Sequence, residues 1–325
     1  PLDRASVTHE AARILRYTYA MSKNTDFAEV GPWAQEKLAK LSKYLHAYAT
    51  ILAKQKEKGK FEGFVYVDAF AGAGRARLRS ADDPSDTGSR LFDFGDPDPD
   101  DVDARQLLDG SPRVALGIEP EFTACVFLER NQKRIAQLEK LKAEFKSRRI
   151  TIERGDCNEY LCEKLVKRAD WRRWRAVVFL DPFGMQVPWS TLEALGSTGG
   201  IEIILNLPIG MAIQRLLKRT GSFTDDERRK LDAYFGDSSW YPLLYEEGTD
   251  LFGERRVAKQ VTAEGRLLAW YRDRLTRTFG AASDAYLVTN TRGAHLYHLL
   301  WAGRNETGRR IANYVLSTGT RLRTR

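Results

Sequence analysis

The chain has 325 residues, of which 42% are hydrophobic, and a formal net charge of +8. That is enough for one large domain or two small ones around a proper core. Its longest apolar runs, AVVFL at 176–180 and IIL at 203–205, fall far short of the ~20 residues a membrane helix needs. The N-terminal stretch PLDRASVTHEAARIL has no basic start, apolar middle and small-residue cleavage site, so a cytoplasmic location is expected. Three cysteines (Cys125, Cys157, Cys162) without a CxxC pair predict neither a disulfide framework nor a zinc site, only free thiols. His295 and His298 sit three apart in an expected strand, where odd spacing points them to opposite faces, so no metal is expected.

Charge is unevenly spread. From Ser80 to Gly110 there are ten aspartates against two arginines, net −8, which leaves +16 on the rest of the chain. A body that basic attracts polyanions.

Along the chain, HEAARILRYTYA reads as a short helix or arm. WAQEKLAKLSKYLHAYATILAKQKEK at 33–58 places Trp33, Leu38, Leu41, Leu45, Tyr48, Ile51 and Leu52 at helical spacings, an amphipathic helix. FEGFVYVDAF then reads as a buried strand with a glycine-rich stop, VDAFAGAG. The segment 80–109 is too polar and proline-punctuated to pack a core and reads as a mobile insertion. Next come Ser111 as an N-cap with Pro112 at the first helical position, the strand ACVFLE, a helix through NQKRIAQLEKLKAEFKS, and the strand RITIE. These are followed by the loop RGDCN, the helix EYLCEKLVKRA, the strand RAVVFL, the loop DPFG, a short helix from about Trp189, and the strand IEIILNLP. Strands interleaved with helices predict an α/β fold with a mostly parallel sheet covered on both faces.

Residues 209–280 read as a helical insertion or lid: IGMAIQRLLKR, a helix capped near Thr224, an aromatic loop WYPLLY, and a long helix around AEGRLLAWYRDRLTRTF. AYLVTN and HLYHLLWA predict an antiparallel hairpin closing the sheet. The expected organisation is an N-terminal helical segment (1–60), a core (61–208) carrying the acidic insertion (80–109), the helical insertion (209–280), and the C-terminal hairpin with a basic tail (281–325).

The glycine junction is the chemical clue. A strand running into glycines exposes backbone N–H groups to a ligand. A dinucleotide loop wants G-x-G-x-x-G, but Arg77 stands at the third glycine position and no P-loop Gly-Lys-Ser/Thr is present. Arg77 and the lack of an evident proton donor also disfavour a nicotinamide-dependent oxidoreductase. Carboxylates recur at the ends of successive expected strands: Asp68, Glu129, Asp156 and Asp181. Ligands bind at that edge of an open α/β sheet. Several carboxylate acceptors suit a ligand bearing an ammonium, a ribose diol and an adenine amine, which points to S-adenosylmethionine rather than a nucleotide phosphate.

DAFAGAG with the downstream DPFG resembles the paired motifs of class I S-adenosylmethionine-dependent methyltransferases, especially the amino-methyltransferase type with a DPPY-like tetrapeptide. The ordered set KLxxLxxYLxxY, DAFAGAG, GSPRVAL, FLE, GDCN, VVFLDPFG, ILNLP, FGDSSW and LYHLLWAGRNETG resembles the three-Cys-motif partner protein family, over most of the chain from about Lys37. The resemblance implies a Rossmann-like methyltransferase fold with a seven-stranded sheet and S-adenosylmethionine as cofactor. It places Asp68, Phe70, Gly72 and Gly74 at the methionine end, Glu129 on the ribose hydroxyls, and Asp156 near the adenine amine, with the Cys157 N–H on a ring nitrogen. It also implies association with a three-cysteine-motif protein similar to radical S-adenosylmethionine enzymes. A non-catalytic partner subunit is therefore the alternative to an enzyme.

In the enzyme reading, Asp181 and the Pro182 carbonyl hold an exocyclic base amine and Phe183 stacks on the base. The chain departs from DPPY by carrying Phe183 at the third position and Gly184 at the fourth, so Phe183 could instead pack into the core. For nucleic acid, DNA or RNA, the candidates are Arg75, Arg77, Arg172, Arg173 and Trp174, with KQKEKGK and the tail RLRTR as further basic runs. The Asp-rich insertion is then a shield over the empty basic groove.

Overall fold

A computed structural model describes residues 28–30, 33–78, 107–209, 213, 217–218, 220–249, 255–259, 263–289 and 293–317. The arm HEAARILRYTYA, residues 80–106 of the Asp-rich segment, most of IGMAIQRLLKR and the RLRTR tail lie outside them.

After the short strand β1 (Ala28–Val30), helix α1 (Trp33–Glu57) buries Leu38, Leu41, Tyr44, Leu45 and Tyr48 along one stripe, as the spacing predicts. Strand β2 (Gly63–Asp68) ends on the glycine loop, which leads into another strand, β3 (Arg75–Leu78). Strand β3 lies between β1, to which it is parallel, and β4 (Leu107–Asp109), to which it is antiparallel. The last residues of the Asp-rich segment therefore pair in a small sheet instead of forming loop. Helix α2 (Ser111–Leu116) starts one residue earlier than expected, with Gly110 at the N-cap, and Ser111 gives its side chain to Asp68 instead of capping.

The alternation then proceeds as expected through β5 (Ala124–Glu129), α3 (Gln132–Glu144) and β6 (Ile150–Arg154). Helix α4 (Cys157–Glu159) widens into a π turn over Tyr160–Leu165 and continues as α5 (Val166–Arg168). Strand β7 (Trp174–Leu180), α6 (Trp189–Ser197) and β8 (Ile201–Leu207) complete the parallel part.

The insertion is not wholly helical. Between α7 (Asp225–Phe235) and α9 (Ala263–Phe279), the segment expected to be an aromatic loop folds as α8 (Trp240–Leu244) and the antiparallel hairpin β9 (Tyr245–Thr249)–β10 (Arg255–Lys259). Pro242 is tolerated there because it falls in the first turn of α8, where its missing N–H has no helical partner to lose. Leu231, Phe235, Trp240, Leu267, Tyr271 and Leu275 share one core cluster with Val178, Leu180, Ile203 and Leu205 of the sheet. The insertion is thus a covering layer on one face.

The chain continues through β11 (Ala281–Ala282), β12 (Tyr286–Thr289), β13 (His295–Gly303) and α10 (Glu306–Ser317). The main sheet runs β11-β13-β8-β7-β2-β5-β6, with β12 also on β13. From β8 to β6 neighbours are parallel, whereas β13 runs antiparallel to β8, and β11 and β12 run antiparallel to β13. The expected mostly parallel sheet with an antiparallel C-terminal hairpin is what forms, with eight strands instead of the expected seven because the edge strand is divided into β11 and β12. Its edge strand is broken at Ser283, whose N–H donates to the Trp301 carbonyl (2.9 Å) and whose hydroxyl oxygen accepts from the Trp301 N–H (2.9 Å).

Side-chain alternation sorts the sheet into two faces. Phe64, Tyr66, Phe127, Phe179, Ile204, Leu299 and Trp301 pack with α1, while Val67, Val178, Ile203 and Leu300 pack with the insertion. Tyr66, Phe127, Phe179 and Trp301 are at most 1% exposed, and burying such a side chain contributes ~1.5–3 kcal/mol each. The same alternation carries Asp68, Asp181, Asn206 and Tyr297 onto the α1 face at the end of the sheet where the parallel strands finish.

Candidate active site

The chain passes from β2 through β5 and β6 on one side and returns to build β7 and β8 on the other. The crevice between the C-terminal ends of β2 and β7 is therefore the topological switch point, where ligands bind in open α/β sheets. Asp68 ends β2 and Asp181 directly follows β7.

The glycine loop is fastened over this crevice from both sides. The Ala69 N–H donates to the Phe179 carbonyl of β7 (3.0 Å), and the Ala71 N–H to the Leu128 carbonyl of β5 (3.0 Å). Gly72 (φ +63°) has open space where a Cβ would stand, so a ligand can reach the backbone there. Gly74 also has a positive φ (+74°), and a Cβ there would press on the tip of the Leu141 side chain at 2.8 Å. Phe70 packs partly buried against the insertion-side core.

Asp68 is fully buried. One carboxylate oxygen accepts from the Phe70 N–H (3.2 Å), the other from the Tyr66 hydroxyl (3.0 Å), and Ser111 adds a third donor. Burial pushes its pKa up to about 6, and nearby Asp181 adds to the rise, while these donors hold it back. Asp68 thus shapes the loop from beneath.

Glu129 is held with Oε1 accepting from the Arg130 and Asn131 N–H groups (2.8 Å each). Its Oε2 has Arg134 at 3.9 Å. Asp156 caps α4: its Oδ1 accepts from Asn158 N–H (2.7 Å) and Glu159 N–H (3.3 Å), and its Oδ2 is paired with Arg130. Cys157 is buried, and burial pushes its thiol up to about 11, so the side chain is inert at neutral pH.

Asp181 is engaged on both oxygens. Its Oδ1 accepts from the Asn206 amide (2.7 Å) and its Oδ2 is ion-paired with Lys37 of α1. Pro182 is buried, whereas Phe183 is 46% exposed. The alternative of Phe183 packing into the core is therefore ruled out. Its N–H donates to Gln186 Oε1 (2.9 Å), the Gln186 carbonyl accepts from the Asn158 side chain (2.9 Å), and the Thr191 hydroxyl donates to Asn158 Oδ1 (3.0 Å). The DPFG and GDCN loops are thereby one unit. Gly184 faces open space.

Of the basic candidates, Arg75 lies at the end of the glycine loop, 3.7 Å from Asp109, with its side chain 41% exposed. Arg77 lies further along β3, its backbone paired with Glu29 and Leu107. The structure does not bring Arg172, Arg173 and Trp174 to the site. Trp174 starts β7, seven residues before Asp181, which at ~3.3 Å per residue sets it roughly 20 Å away at the opposite edge. There its indole N–H donates to Glu62 (3.0 Å), its ring lies against Gly63, and Arg173 is ion-paired with Glu62. An indole tied down in this way is not a free stacking surface.

Lys37, Asn206 and Tyr297 are members of the site that sequence reasoning does not reach. ILNLP and the α1 pattern stand out as motifs, but nothing in a linear reading shows that residues 37, 206 and 297 converge on Asp181.

No protein-family model matches the chain, and no curated protein matches it. Among solved structures, the chain is similar to protein LPL1258 from Legionella pneumophila, with 13% identity, TM-score 0.45, and coverage of 86% of this chain and 91% of that one. It is also similar to an S-adenosylmethionine-dependent methyltransferase from Clostridium acetobutylicum (9%, TM-score 0.30, 78% and 90% covered). A third is the N-terminal domain of EvdMO1 with S-adenosylhomocysteine bound (9%, TM-score 0.32, 77% and 79% covered). The likeness to the three-Cys-motif partner family rests on sequence motifs alone. No helix among the described residues is long and apolar enough to cross a membrane, and no group of three His, Cys, Asp or Glu among them could hold a metal ion.

Proposed function

We propose that the chain is an S-adenosylmethionine-dependent methyltransferase that N-methylates an exocyclic base amine in nucleic acid. The observation that carries this reading is the pairing at the switch point: an open glycine loop above the buried Asp68, and beside it Asp181 followed by the exposed ring of Phe183.

The residues fit the cofactor. Gly72 leaves room at the loop, the Asp68 carboxyl lies behind it as the acidic group facing an ammonium, and Glu129 Oε2 would accept from a ribose diol. Asp156 can meet an adenine amine once Arg130 gives way, and the Cys157 backbone N–H lies on the same turn. When bound there, S-adenosylmethionine would supply an electrophilic methyl group, the C–S bond electrons staying on the sulfur of the S-adenosylhomocysteine that leaves.

The protein's part is to present the acceptor. An exocyclic amine is a poor nucleophile because its lone pair is conjugated into the ring. Asp181 and the Pro182 carbonyl accept its hydrogens and favour a pyramidal nitrogen, and Asp181 stabilises the positive charge that arrives on that nitrogen. The proton lost after transfer leaves through Asp181 to solvent. Phe183 offers its face to an extruded base. Arg75, half-exposed at the end of the glycine loop, is the basic residue that would contact a flanking phosphate, and Arg172 and Arg173 take no part at this edge.

The test is to incubate the full chain with methyl-labelled cofactor and separate pools of RNA, DNA, protein and metabolites. Label is expected in a nucleic-acid pool, and Asp181→Ala should stop transfer while retaining S-adenosylhomocysteine binding. Label in the protein or metabolite pool overturns the base-amine reading.

One observation favours the second reading, a non-catalytic partner subunit: Asp181 already has both oxygens occupied, by Asn206 and Lys37. In that case co-expression with the three-cysteine-motif protein yields a stable complex, and no pool gains label.

A further inference from the structure

Two buried polar atoms beside Asp181 lack a hydrogen-bond partner among the described residues: Asn206 Oδ1 and the Tyr297 hydroxyl. Both residues are nearly sealed, at 6% and 7% exposure. An orphaned buried donor or acceptor costs ~1–3 kcal/mol, and native structures hold few of them. These are two of six such atoms among the described residues, and both lie on the sheet face beside Asp181, which makes them candidates for a partner from outside the chain.

Their placement says what that partner looks like. Asn206 and Tyr297 come from neighbouring strands, since Asn206 pairs with Leu299 across the β8–β13 ladder. Both lie on the α1 face with Asp181. Asn206 spends its amide on Asp181 and keeps its oxygen free. Lys37 links the other two: its ammonium is paired with Asp181 and stands 5.7 Å from the centre of the Tyr297 ring. The Tyr297 hydroxyl is within electrostatic reach of Asp181, Glu36 and Tyr286. Beyond the lone pairs of Asp181, the locus therefore offers one amide oxygen that can only accept and one hydroxyl that can donate.

We propose that Asn206 and Tyr297 are the specificity-determining residues of the acceptor pocket, selecting an amidine-type edge in which an amine stands next to an unprotonated ring nitrogen. The amine donates one hydrogen to Asp181 and shares the other between the Pro182 carbonyl and Asn206 Oδ1, and the ring nitrogen accepts from the Tyr297 hydroxyl. A lactam edge, with a carbonyl beside a ring N–H, sets its carbonyl against two acceptor oxygens and is rejected. Lys37 occupies Asp181 Oδ2 in this structure, so entry of the base requires its ammonium to slide along or off that oxygen. The inference rests on reading the Asp181 edge as the acceptor site, but its test needs no turnover.

The experiment is NMR-detected binding of 9-methyladenine and 9-methylhypoxanthine to the full chain, with and without S-adenosylhomocysteine, for wild type and Tyr297→Phe. Wild type is expected to prefer 9-methyladenine. Tyr297→Phe should bind it about three- to tenfold more weakly, as the loss of one neutral hydrogen bond implies, with an unchanged or raised thermal midpoint because an unpaired hydroxyl has been removed. Equal affinity of wild type and variant overturns the proposal. So does a lowered midpoint, which would mean that the hydroxyl has a structural partner, or a wild type that binds neither probe or both alike. A wild type that prefers 9-methyladenine yet labels no nucleic acid would sink the methyltransferase reading and leave this one standing.

Discussion

Replacing Asp68 by Asn tests the central electrostatic feature of the site. The carboxyl is fully buried and its pKa is about 6, against 3.8 for the unperturbed group. A folded-state value above the unfolded one means that folding favours the protonated form. The associated stability is present below about pH 3.8 and is lost as pH rises through 6. A shift of roughly two units corresponds to about 3 kcal/mol carried as a cost above pH 7, and to about half a kcal/mol at pH 4. Asp68→Asn removes the ionisation, and its amide can keep one acceptor on the Phe70 N–H while its NH2 faces the Tyr66 oxygen. The variant should therefore be more stable than wild type by ~1–3 kcal/mol at pH 8 and nearly equal to it at pH 4, read from urea denaturation. It should also bind S-adenosylhomocysteine more weakly, since the charge behind the loop is gone. In wild type near pH 6, binding a cationic ligand should release up to about half a proton, detectable by calorimetry in buffers of different ionisation enthalpy. A variant destabilised equally at both pH values would refute the reasoning.

Other outcomes come from the same geometry. Phe183→Ala should leave unfolding stability within ~0.5 kcal/mol of wild type, because the ring is exposed, while raising the KM for nucleic acid about five- to a hundredfold through lost stacking. Lys37→Met leaves the partly buried Asp181 carboxylate with Asn206 as its remaining partner and should lower stability by ~1–3 kcal/mol at pH 7; no change in the denaturation midpoint would mean the ion pair contributes nothing. Thr224 and Glu227 form a reciprocal capping box at the start of α7, so Thr224→Ala should cost ~1 kcal/mol in the same assay and Thr224→Ser much less.

The strands of the core are legible in the sequence because buried parallel strands read as continuous apolar runs with abrupt glycine or aspartate stops, as VDAFAGAG and VVFLDPFG show. The acidic set at one edge is legible for the same reason, since each member lies at or just past the end of its strand. Other features depend on long-range pairing that leaves no local signal. Lys37 and Asp181 are 144 positions apart, and Tyr297 reaches the site only because β13 lies beside β8. WYPLLY reads as a loop because Pro242 signals a break, yet a first-turn proline costs a helix little. Trp174 reads as a stacking residue among arginines, but a linear reading cannot show that Glu62 lies beside its indole N–H. Strand β3, placed directly after the glycine loop, is hidden by its basic sequence and by β4, a pairing partner about thirty residues ahead.

The most direct test of the account is a calorimetric titration of the full chain with S-adenosylhomocysteine, with NADH as the control ligand. One saturable site for S-adenosylhomocysteine and no heat with NADH is the predicted result. No binding of S-adenosylhomocysteine at millimolar concentration, or binding of NADH in its place, would contradict it.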